Sequence, residues 1–145
     1  MMINQLDTIF SSIPESEKEN STNKKPLLII DDNQDVIDAL TVILKREYEL
    51  LVFKSYEETI EKNFSNINVA LLDIKIAYQD GIEIFSLLKT KYPQMKIIFH
   101  SAYPGNNENA KRAESLPHDG YLTKGNYGIM ELLDTIRKTF LKSTE

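Results

Sequence analysis

Five short apolar runs separated by helical patterns are the feature that most constrains the fold of this chain. The runs are LLII (27–30), LLVF (50–53), VALL (69–72), KIIF (96–99) and, more weakly, GYLT (120–123). Each run is too short for a stable helix and is rich in branched side chains, which is typical of strands buried on both faces. Because strands and helices alternate, the sequence predicts an α/β domain with a parallel sheet, helices on both faces and right-handed crossovers.

The segments between the runs carry apolar side chains at helical spacing. The first predicted helix has one apolar face, formed by Val36, Ile37, Leu40, Ile43 and Leu44. A shorter helix is predicted within 55–64, where Ser55 suits the N-cap position. The third begins near residues 80–81 and ends before the proline at 93. A weakly apolar fourth helix is predicted within 107–116, and a strongly apolar fifth over 129–140.

Composition excludes several classes of protein. The chain has 145 residues, which suits one domain with a sizeable core. The net charge of −5 argues against binding to nucleic acid, which needs a basic surface. The absence of cysteine excludes disulfides and thiolate zinc sites, and two histidines leave little for a transition-metal site. No apolar run approaches the roughly 20 residues of a membrane span, and no signal-peptide pattern opens the chain, so we expect a cytoplasmic protein.

Residues 1–25 form a predicted N-terminal extension to a single domain at 26–145. One face of a short helix is indicated by the spacing of Met2, Leu6, Ile9, Phe10 and Ile13. The polar, charged segment 14–26 is bounded by prolines and indicates a flexible linker. The apolar stripe could dock on the domain, form a homodimer contact, bind a partner or remain a frayed tail.

Polar side chains end four of the predicted strands. Asp31 and Asp32 follow the first strand, Asp73 the third, Ser101 the fourth and Lys124 the fifth. In an open α/β sheet, ligands bind beyond the carboxyl ends of the strands, where the strand order reverses. In the order 2-1-3-4-5, strands 1 and 3 flank that reversal, so we expect the three aspartates to converge there with the serine and lysine alongside.

Such a cluster has a definite chemistry. Two carboxylates about 4 Å apart repel by roughly 4 kcal/mol at an effective dielectric constant of about 20. Three of them raise one another's pKa or recruit a cation, and carboxylate oxygens suit Mg²⁺. A lysine ammonium and a serine hydroxyl can bind phosphoryl oxygens, and a carboxylate can act as the nucleophile. Alone, each residue has an ordinary explanation as a cap, turn or surface residue, but the set indicates an aspartyl-phosphate site.

From about residue 26 to 142 the sequence resembles the receiver domain of bacterial response regulators, of the chemotaxis-regulator type. LLIIDDN (27–33) is similar to the family's opening strand with its acidic pair, and LLDIKIAYQDGIEIF (71–85) to its phosphoacceptor segment. HSAY (100–103) looks like the hydroxyl position followed by a small residue, and DGYLTK (119–124) like the final strand. The resemblance implies a flavodoxin-like, doubly wound (βα)5 sandwich with the sheet order 2-1-3-4-5.

The resemblance implies a phosphoacceptor role for Asp73, which would receive a phosphoryl group from a partner's phosphohistidine or a small phosphodonor. It also implies a Mg²⁺ cofactor, bound by Asp73, directly by Asp32, and by Asp31 through water or as a catalytic helper. The backbone carbonyl of Lys75 would complete the metal sphere.

Three further roles follow from the same resemblance. Ser101 and Lys124 would bind the phosphoryl oxygens. Tyr121 would be the switch aromatic, which moves inward as Ser101 shifts toward the phosphoryl group. The protein would then not be an enzyme beyond phosphorylating itself from a phosphodonor and losing that group again.

The sequence departs from the family pattern in places. Gly125 follows the lysine where the family usually has proline, so a cis peptide is not expected and the loop gains freedom. Ile76-Ala77 replaces the frequent Met-Pro of the phosphoacceptor turn. Lys75 and Tyr103 occupy positions that tune hydrolysis in the family, and the bulk of Tyr103 predicts slow self-dephosphorylation. Of the two histidines, His100 is expected to point away from the Ser101 side of the sheet, and His118 to be solvated.

The expected partners are a histidine kinase or a histidine phosphotransfer protein, and a downstream target protein, without nucleic acid or membrane. We expect no output domain after the fifth helix, and the resemblance implies that the protein signals through helix 4, strand 5 and helix 5. Two alternatives stay open. One is a protein-interaction module of the same fold that works without phosphorylation. The other is a flavin-binding or phosphohydrolase domain, disfavoured for flavin by the lack of a phosphate loop after strand 1.

Overall fold

A computed structural model of the chain describes residues 23–76, 79–103 and 107–142. The predicted helix at 1–13 lies outside the described residues, as does most of the linker, and both stay predictions. None of the helices in the described ranges is long and apolar enough to cross a membrane.

The domain contains seven strands, four α-helices and one 3₁₀ turn in the described ranges. The strands are β1 (Lys25–Ile30), β2 (Tyr48–Phe53), β3 (Val69–Leu72), β4 (Lys75–Ile76), β5 (Gln79–Asp80), β6 (Lys96–Ser101) and β7 (Gly120–Thr123). The helices are α1 (Gln34–Leu44), α2 (Gly81–Lys91), α3 (Glu108–Glu114) and α4 (Ile129–Leu141), and the 3₁₀ turn is Glu57–Thr59.

Five of the strands form one parallel sheet in the order β2-β1-β3-β6-β7. In its centre Leu27 of β1 lies opposite Leu50 of β2 and Val69 of β3. Numbered by these core strands, the order is the predicted 2-1-3-4-5, and the flavodoxin-like fold class is confirmed. Strands β1 and β3 are neighbours at the reversal of strand order, which brings the residues after both strands to one edge.

Each face of the sheet is covered by a separate apolar core, because side chains alternate along a strand. On one face the strand residues pack with helices α2 and α3 and include Leu28, Leu72 and Phe99. On the other they pack with α1 and α4 and include Leu27 and Ile98. Burying a leucine or phenylalanine fully contributes about 1.5–3 kcal/mol, so these two layers hold the sheet rigid beneath the loops.

Side-chain caps fix the starts of three helices at the carboxyl edge of the sheet. The Asn33 side chain accepts a hydrogen bond from the Val36 amide at 3.2 Å, which begins α1 directly after the first strand. Asp80 caps α2 in the same way, and Asn107 caps α3. Each cap satisfies a backbone donor that would otherwise lack a partner.

The helix predicted within 55–64 is wrong, because this crossover contains only the single 3₁₀ turn at 57–59. The Ser55 hydroxyl does accept from the Glu58 amide at 3.3 Å, as a cap would. Thr59 and Phe64 are buried, whereas Ile60 between them is 52% exposed. A short helix gains its stability from a buried stripe, and the alternation here provides no such stripe.

The structure adds a small antiparallel pair, β4 with β5, that the apolar pattern does not indicate. Lys75 pairs with Asp80, and Ile76 with Gln79, so the segment after β3 folds back directly into α2.

Candidate functional site

Two aspartates extend the ends of β1 and β3 without leaving the sheet. The amide of Asp31 donates to the Phe53 carbonyl at 3.1 Å, and the amide of Asp73 donates to the Ile30 carbonyl at 3.1 Å. Both backbones are therefore held by the ladder of the neighbouring strand. The side chains are buried at the rim, with exposed fractions of 2% for Asp31 and 6% for Asp73.

Three carboxylates converge at this rim. Asp31, Asp32 and Asp73 each offer an oxygen within 4.8 Å of the others. Asp32 is exposed, so the cluster opens to solvent on one side. The predicted convergence of the acidic residues is thus present in the structure.

Lys124 bridges two of these carboxylates from the end of β7. Its Nζ lies 2.8 Å from Asp31 Oδ2 and 3.0 Å from Asp73 Oδ2. Its amide donates to the Ser101 carbonyl at 2.7 Å, which fastens the start of its loop to β6. Burial lowers the pKa of Lys124, but hydrogen bonds and charge from Asp31 and Asp73 outweigh burial and raise it above its ordinary value. The lysine is therefore a fixed cation in the site.

Asp73 is poorly stabilised as an anion. Burial and then the charge of Asp31 raise the pKa of Asp73 from 3.8 to about 6, although Lys124 opposes them. Two carboxylates share one ammonium, so the negative charge exceeds the positive charge in the pocket. This imbalance favours an added cation.

The donor set fits Mg²⁺. Oδ2 of Asp31 is buried and, beyond its ion pair with Lys124, has no hydrogen-bond partner in the described ranges. Hard cations prefer carboxylate oxygens of this kind and keep several waters. Because Asp32 is exposed, solvent water can reach a cation bound at this cluster.

Ser101, Tyr103 and Tyr121 form a connected group beside the carboxylates. Oγ of the fully buried Ser101 accepts from the Tyr103 amide at 3.0 Å. The Tyr121 hydroxyl donates to the Tyr103 carbonyl at 2.7 Å. Burial is the main cause that raises the pKa of Tyr121. One peptide segment therefore links the predicted hydroxyl position to the predicted switch aromatic.

Lys75 lies next to the site through its backbone. Its amide is 3.4 Å from Asp73 Oδ1, a weak hydrogen bond, and its side chain is exposed. The role of its carbonyl as a metal ligand stays a prediction.

Gly81 is a site residue that the sequence reasoning did not single out. Its amide donates to the Ile74 carbonyl at 2.5 Å. A Cβ at Gly81 would lie 2.0 Å from the carbonyl oxygen of Asp73, so no other residue fits without a backbone shift. The Asp-Gly pair at 80–81 was the available signal, since glycine next to a helix cap marks a close approach of the backbone.

The expectation that His118 is solvated is wrong. Its side chain is 13% exposed, its Nε2 lies 3.0 Å from Glu114, and its Nδ1 accepts from the Gly120 amide. The ring also packs edge-on against Phe99 at 5.6 Å. A neutral ring nitrogen is a good acceptor for a loop amide, and nothing in a loop sequence signals that use.

His100 lies, as expected, on the face opposite Ser101. It alternates with Phe99 and lines a cavity of about 230 Å³ with residues of α1 and the loop after β7. Its Nε2 is 2.7 Å from the hydroxyl of Tyr127, a loop residue that the sequence reasoning did not single out.

The chain was also compared with models of known families. The model of the response regulator receiver domain matches residues 27–137, which is well over half of the chain. A comparison with curated proteins finds no match.

Solved structures give the same result. The chain is similar to a CheY-like response regulator receiver domain protein from Methanospirillum hungatei, at 29% identity and a TM-score of 0.69, over 79% of this chain and 92% of that one. It is also similar to the response regulator TrrA of Thermotoga maritima, solved with Mg²⁺ and BeF, at 28% identity and 0.66, over 79% and 98%. A receiver domain from Bacteroides fragilis shares the fold at 20% identity and 0.71, over 83% and 99%.

Proposed function

Because the chain belongs to the response regulator receiver domain family, we propose that it accepts a phosphoryl group on Asp73 in a Mg²⁺-dependent reaction. Receiver domains serve two-component signalling, interact with histidine kinases and downstream effectors, and typically bind Mg²⁺ at an acidic cluster. They are generally not classical enzymes. The proposal assigns these properties to particular residues of the domain at 26–145.

One observation carries the proposal. The Lys124 ammonium contacts Asp31 and Asp73 at once, inside a cluster of three carboxylates. A purely structural ion pair needs one carboxylate per lysine, and without a bound cation the surplus negative charge would destabilise the pocket. The surplus is explained if the pocket binds a divalent cation and a phosphoryl group.

In the proposed reaction an oxygen of the Asp73 carboxylate attacks the phosphorus of the phosphodonor. A new O–P bond forms, the bond from phosphorus to the donor breaks, and the donor leaves with its electron pair. Lys124 would bind one phosphoryl oxygen, and the Ser101 hydroxyl would donate a hydrogen bond to another. Bound Mg²⁺ would neutralise charge on the phosphoryl oxygens, held by Asp31, Asp32, Asp73 and the Lys75 carbonyl.

Two-state signalling would use the group formed by Ser101, Tyr103 and Tyr121. Movement of the Ser101 hydroxyl toward a phosphoryl oxygen would act on its bond from the Tyr103 amide. The Tyr103 carbonyl holds the Tyr121 hydroxyl, so the aromatic side chain would respond. The charge of the phosphoryl group would in this way change the conformation of the surface formed by α3, β7 and α4. That surface would contact the downstream protein.

Tyr103 would also protect the phosphorylated state. It lines a cavity of about 380 Å³ beside the phosphoacceptor segment, together with Ile74, Lys75 and Asp80. The bulk of Tyr103 beside this segment would hinder the approach of water to phosphorylated Asp73 from this side, so we propose slow self-dephosphorylation.

The proposal is tested by incubating the protein with acetyl phosphate and Mg²⁺ and measuring its intact mass. We expect a gain of one phosphoryl group that is absent in Asp73→Asn. Asp38→Asn, which removes an exposed carboxylate of α1, is the matched control and should still gain it. No gain in the wild type, under conditions where Mg²⁺ binding is measured, would favour a module that works without phosphorylation.

A further inference from the structure

The loop that carries Lys124 has few backbone constraints of its own. Gly125 has a φ of 75°, and neither Gly125 nor Gly128 has a neighbour within 4 Å of where a Cβ would lie. No peptide bond in the described ranges is cis. The Asn126 amide donates to the Thr123 carbonyl at 3.1 Å, and otherwise the glycines leave the backbone free to vary.

Tyr127 connects this loop to the sheet by a hydrogen bond. Its hydroxyl lies 2.7 Å from His100 Nε2, and the two ring centroids are 5.5 Å apart. His100 belongs to β6 and lies opposite Leu122 of β7, and its side chain is only 2% exposed. The loop is thus fixed at both sides of Gly125, by the Lys124 amide on the Ser101 carbonyl and by Tyr127 on His100.

We propose that the His100–Tyr127 hydrogen bond positions Lys124 for phosphoryl transfer. This inference rests on the proposed function, because it assigns the pair a role in that reaction. Both are positioning residues, since neither contacts the Asp73 carboxylate in the structure. They would limit the movement of the loop. This would keep Lys124 Nζ in a fixed position relative to Asp31 and Asp73.

The chemistry of the pair supports this role. A buried imidazole is costly without a hydrogen bond, and the Tyr127 hydroxyl provides one. Burial, and then the charge of Lys124, lower the pKa of His100 to about 4. The ring is therefore neutral near pH 7 and adds no positive charge next to the ammonium. It can hold the loop without weakening the contact of Lys124 with the carboxylates.

The carboxylates lie on other segments, after β1 and β3. Loosening the loop should therefore change the rate of phosphoryl transfer and not the affinity for Mg²⁺. A displacement of about 1 Å in a reacting group can lower a rate by as much as about 100-fold. Loss of the His100–Tyr127 hydrogen bond should lower the rate by less than that, because the Lys124 amide still binds the Ser101 carbonyl. We expect Tyr127→Phe to lower the maximal rate about 3- to 10-fold.

The experiment measures phosphorylation by acetyl phosphate in the full chain, over a range of phosphodonor concentrations, with Mg²⁺ affinity measured separately. Tyr92→Phe is the matched control, because the Tyr92 hydroxyl is also hydrogen-bonded, accepting from the Phe64 amide at 3.1 Å, but lies far along the chain from the loop. We expect the maximal rate to fall only in Tyr127→Phe, with the Mg²⁺ dissociation constant unchanged within about twofold. All rates are taken below the melting temperature of each variant.

Substitutions of His100 provide a second test of the inference. His100→Leu should be as slow as Tyr127→Phe, the double variant no slower than either, and His100→Gln faster than His100→Leu because it keeps a polar partner. A Tyr127→Phe rate equal to that of wild type would overturn the inference while leaving the proposed function intact. An additive double variant would also overturn it. A wild type that accepts no phosphoryl group would refute the proposed function and this inference together.

Discussion

Replacing Asp73 with asparagine should stabilise the metal-free protein at neutral pH. In the folded protein, burial and the charge of Asp31 raise the pKa of Asp73 from 3.8 to about 6. A carboxyl group whose pKa is raised by folding supports the folded state fully below pH 3.8. It loses that support as the pH rises through about 6. Asparagine stays neutral and does not incur this loss.

The magnitude follows from the two pKa values. The difference between 3.8 and about 6, at 1.36 kcal/mol per pH unit, gives an upper bound of roughly 3 kcal/mol. For a domain of this size, that bound corresponds to a melting temperature of Asp73→Asn up to roughly 6–12 °C above that of wild type at pH 8. The difference should shrink between pH 6 and pH 4, and be near zero below.

The assay is thermal unfolding in a chelating buffer from pH 4 to pH 8, followed by the intrinsic tyrosine signal or circular dichroism. Asp38→Asn makes the same change in net charge at an exposed position and should show no such pH profile. A variant Asp73→Asn that is less stable than wild type at pH 8 would refute the reasoning. It would mean that the ion pair with Lys124 outweighs burial and repulsion.

Three further outcomes follow from the same site. Millimolar Mg²⁺ should raise the melting temperature of wild type, because a cation at 100 times its dissociation constant adds about 2.7 kcal/mol to the free energy of unfolding. An unchanged melting curve would contradict the metal site. Tyr103→Ala should release a radiolabelled phosphoryl group severalfold faster than wild type, and equal decay would count against shielding by Tyr103. Gly81→Ala should lower the free energy of unfolding in urea by about 1–3 kcal/mol, because the added Cβ would clash with the Asp73 carbonyl. A loss under about 0.5 kcal/mol would show that the backbone shifts to accommodate the Cβ.

Most of the fold could be predicted from the apolar pattern, because each central strand is buried on both faces. The runs at 69–72 and 120–123 match β3 and β7 residue for residue. The acidic cluster was predictable for a related reason, since parallel strands bring their carboxyl ends to one edge. Residues 42 positions apart, Asp31 and Asp73, could therefore be placed together without coordinates.

The errors and omissions have a common physical origin in side-chain contacts that leave no periodic signal. The segment 55–64 has a good cap in Ser55 but exposes Ile60, and no cap compensates for a missing buried stripe. His118 and Tyr127 each bind a partner chosen by the tertiary fold. A loop residue's hydrogen bonds depend on where the loop lies, which local sequence does not determine.

The central claim is that Asp73 carries the phosphoryl group. Its most direct test is reduction of the acetyl phosphate-treated protein with borohydride, which converts an aspartyl phosphate to homoserine, followed by peptide mapping. We predict homoserine at position 73 and only when Mg²⁺ is present. Homoserine at position 31 or 32, or an unmodified Asp73 in protein that has gained a phosphoryl group, would contradict it.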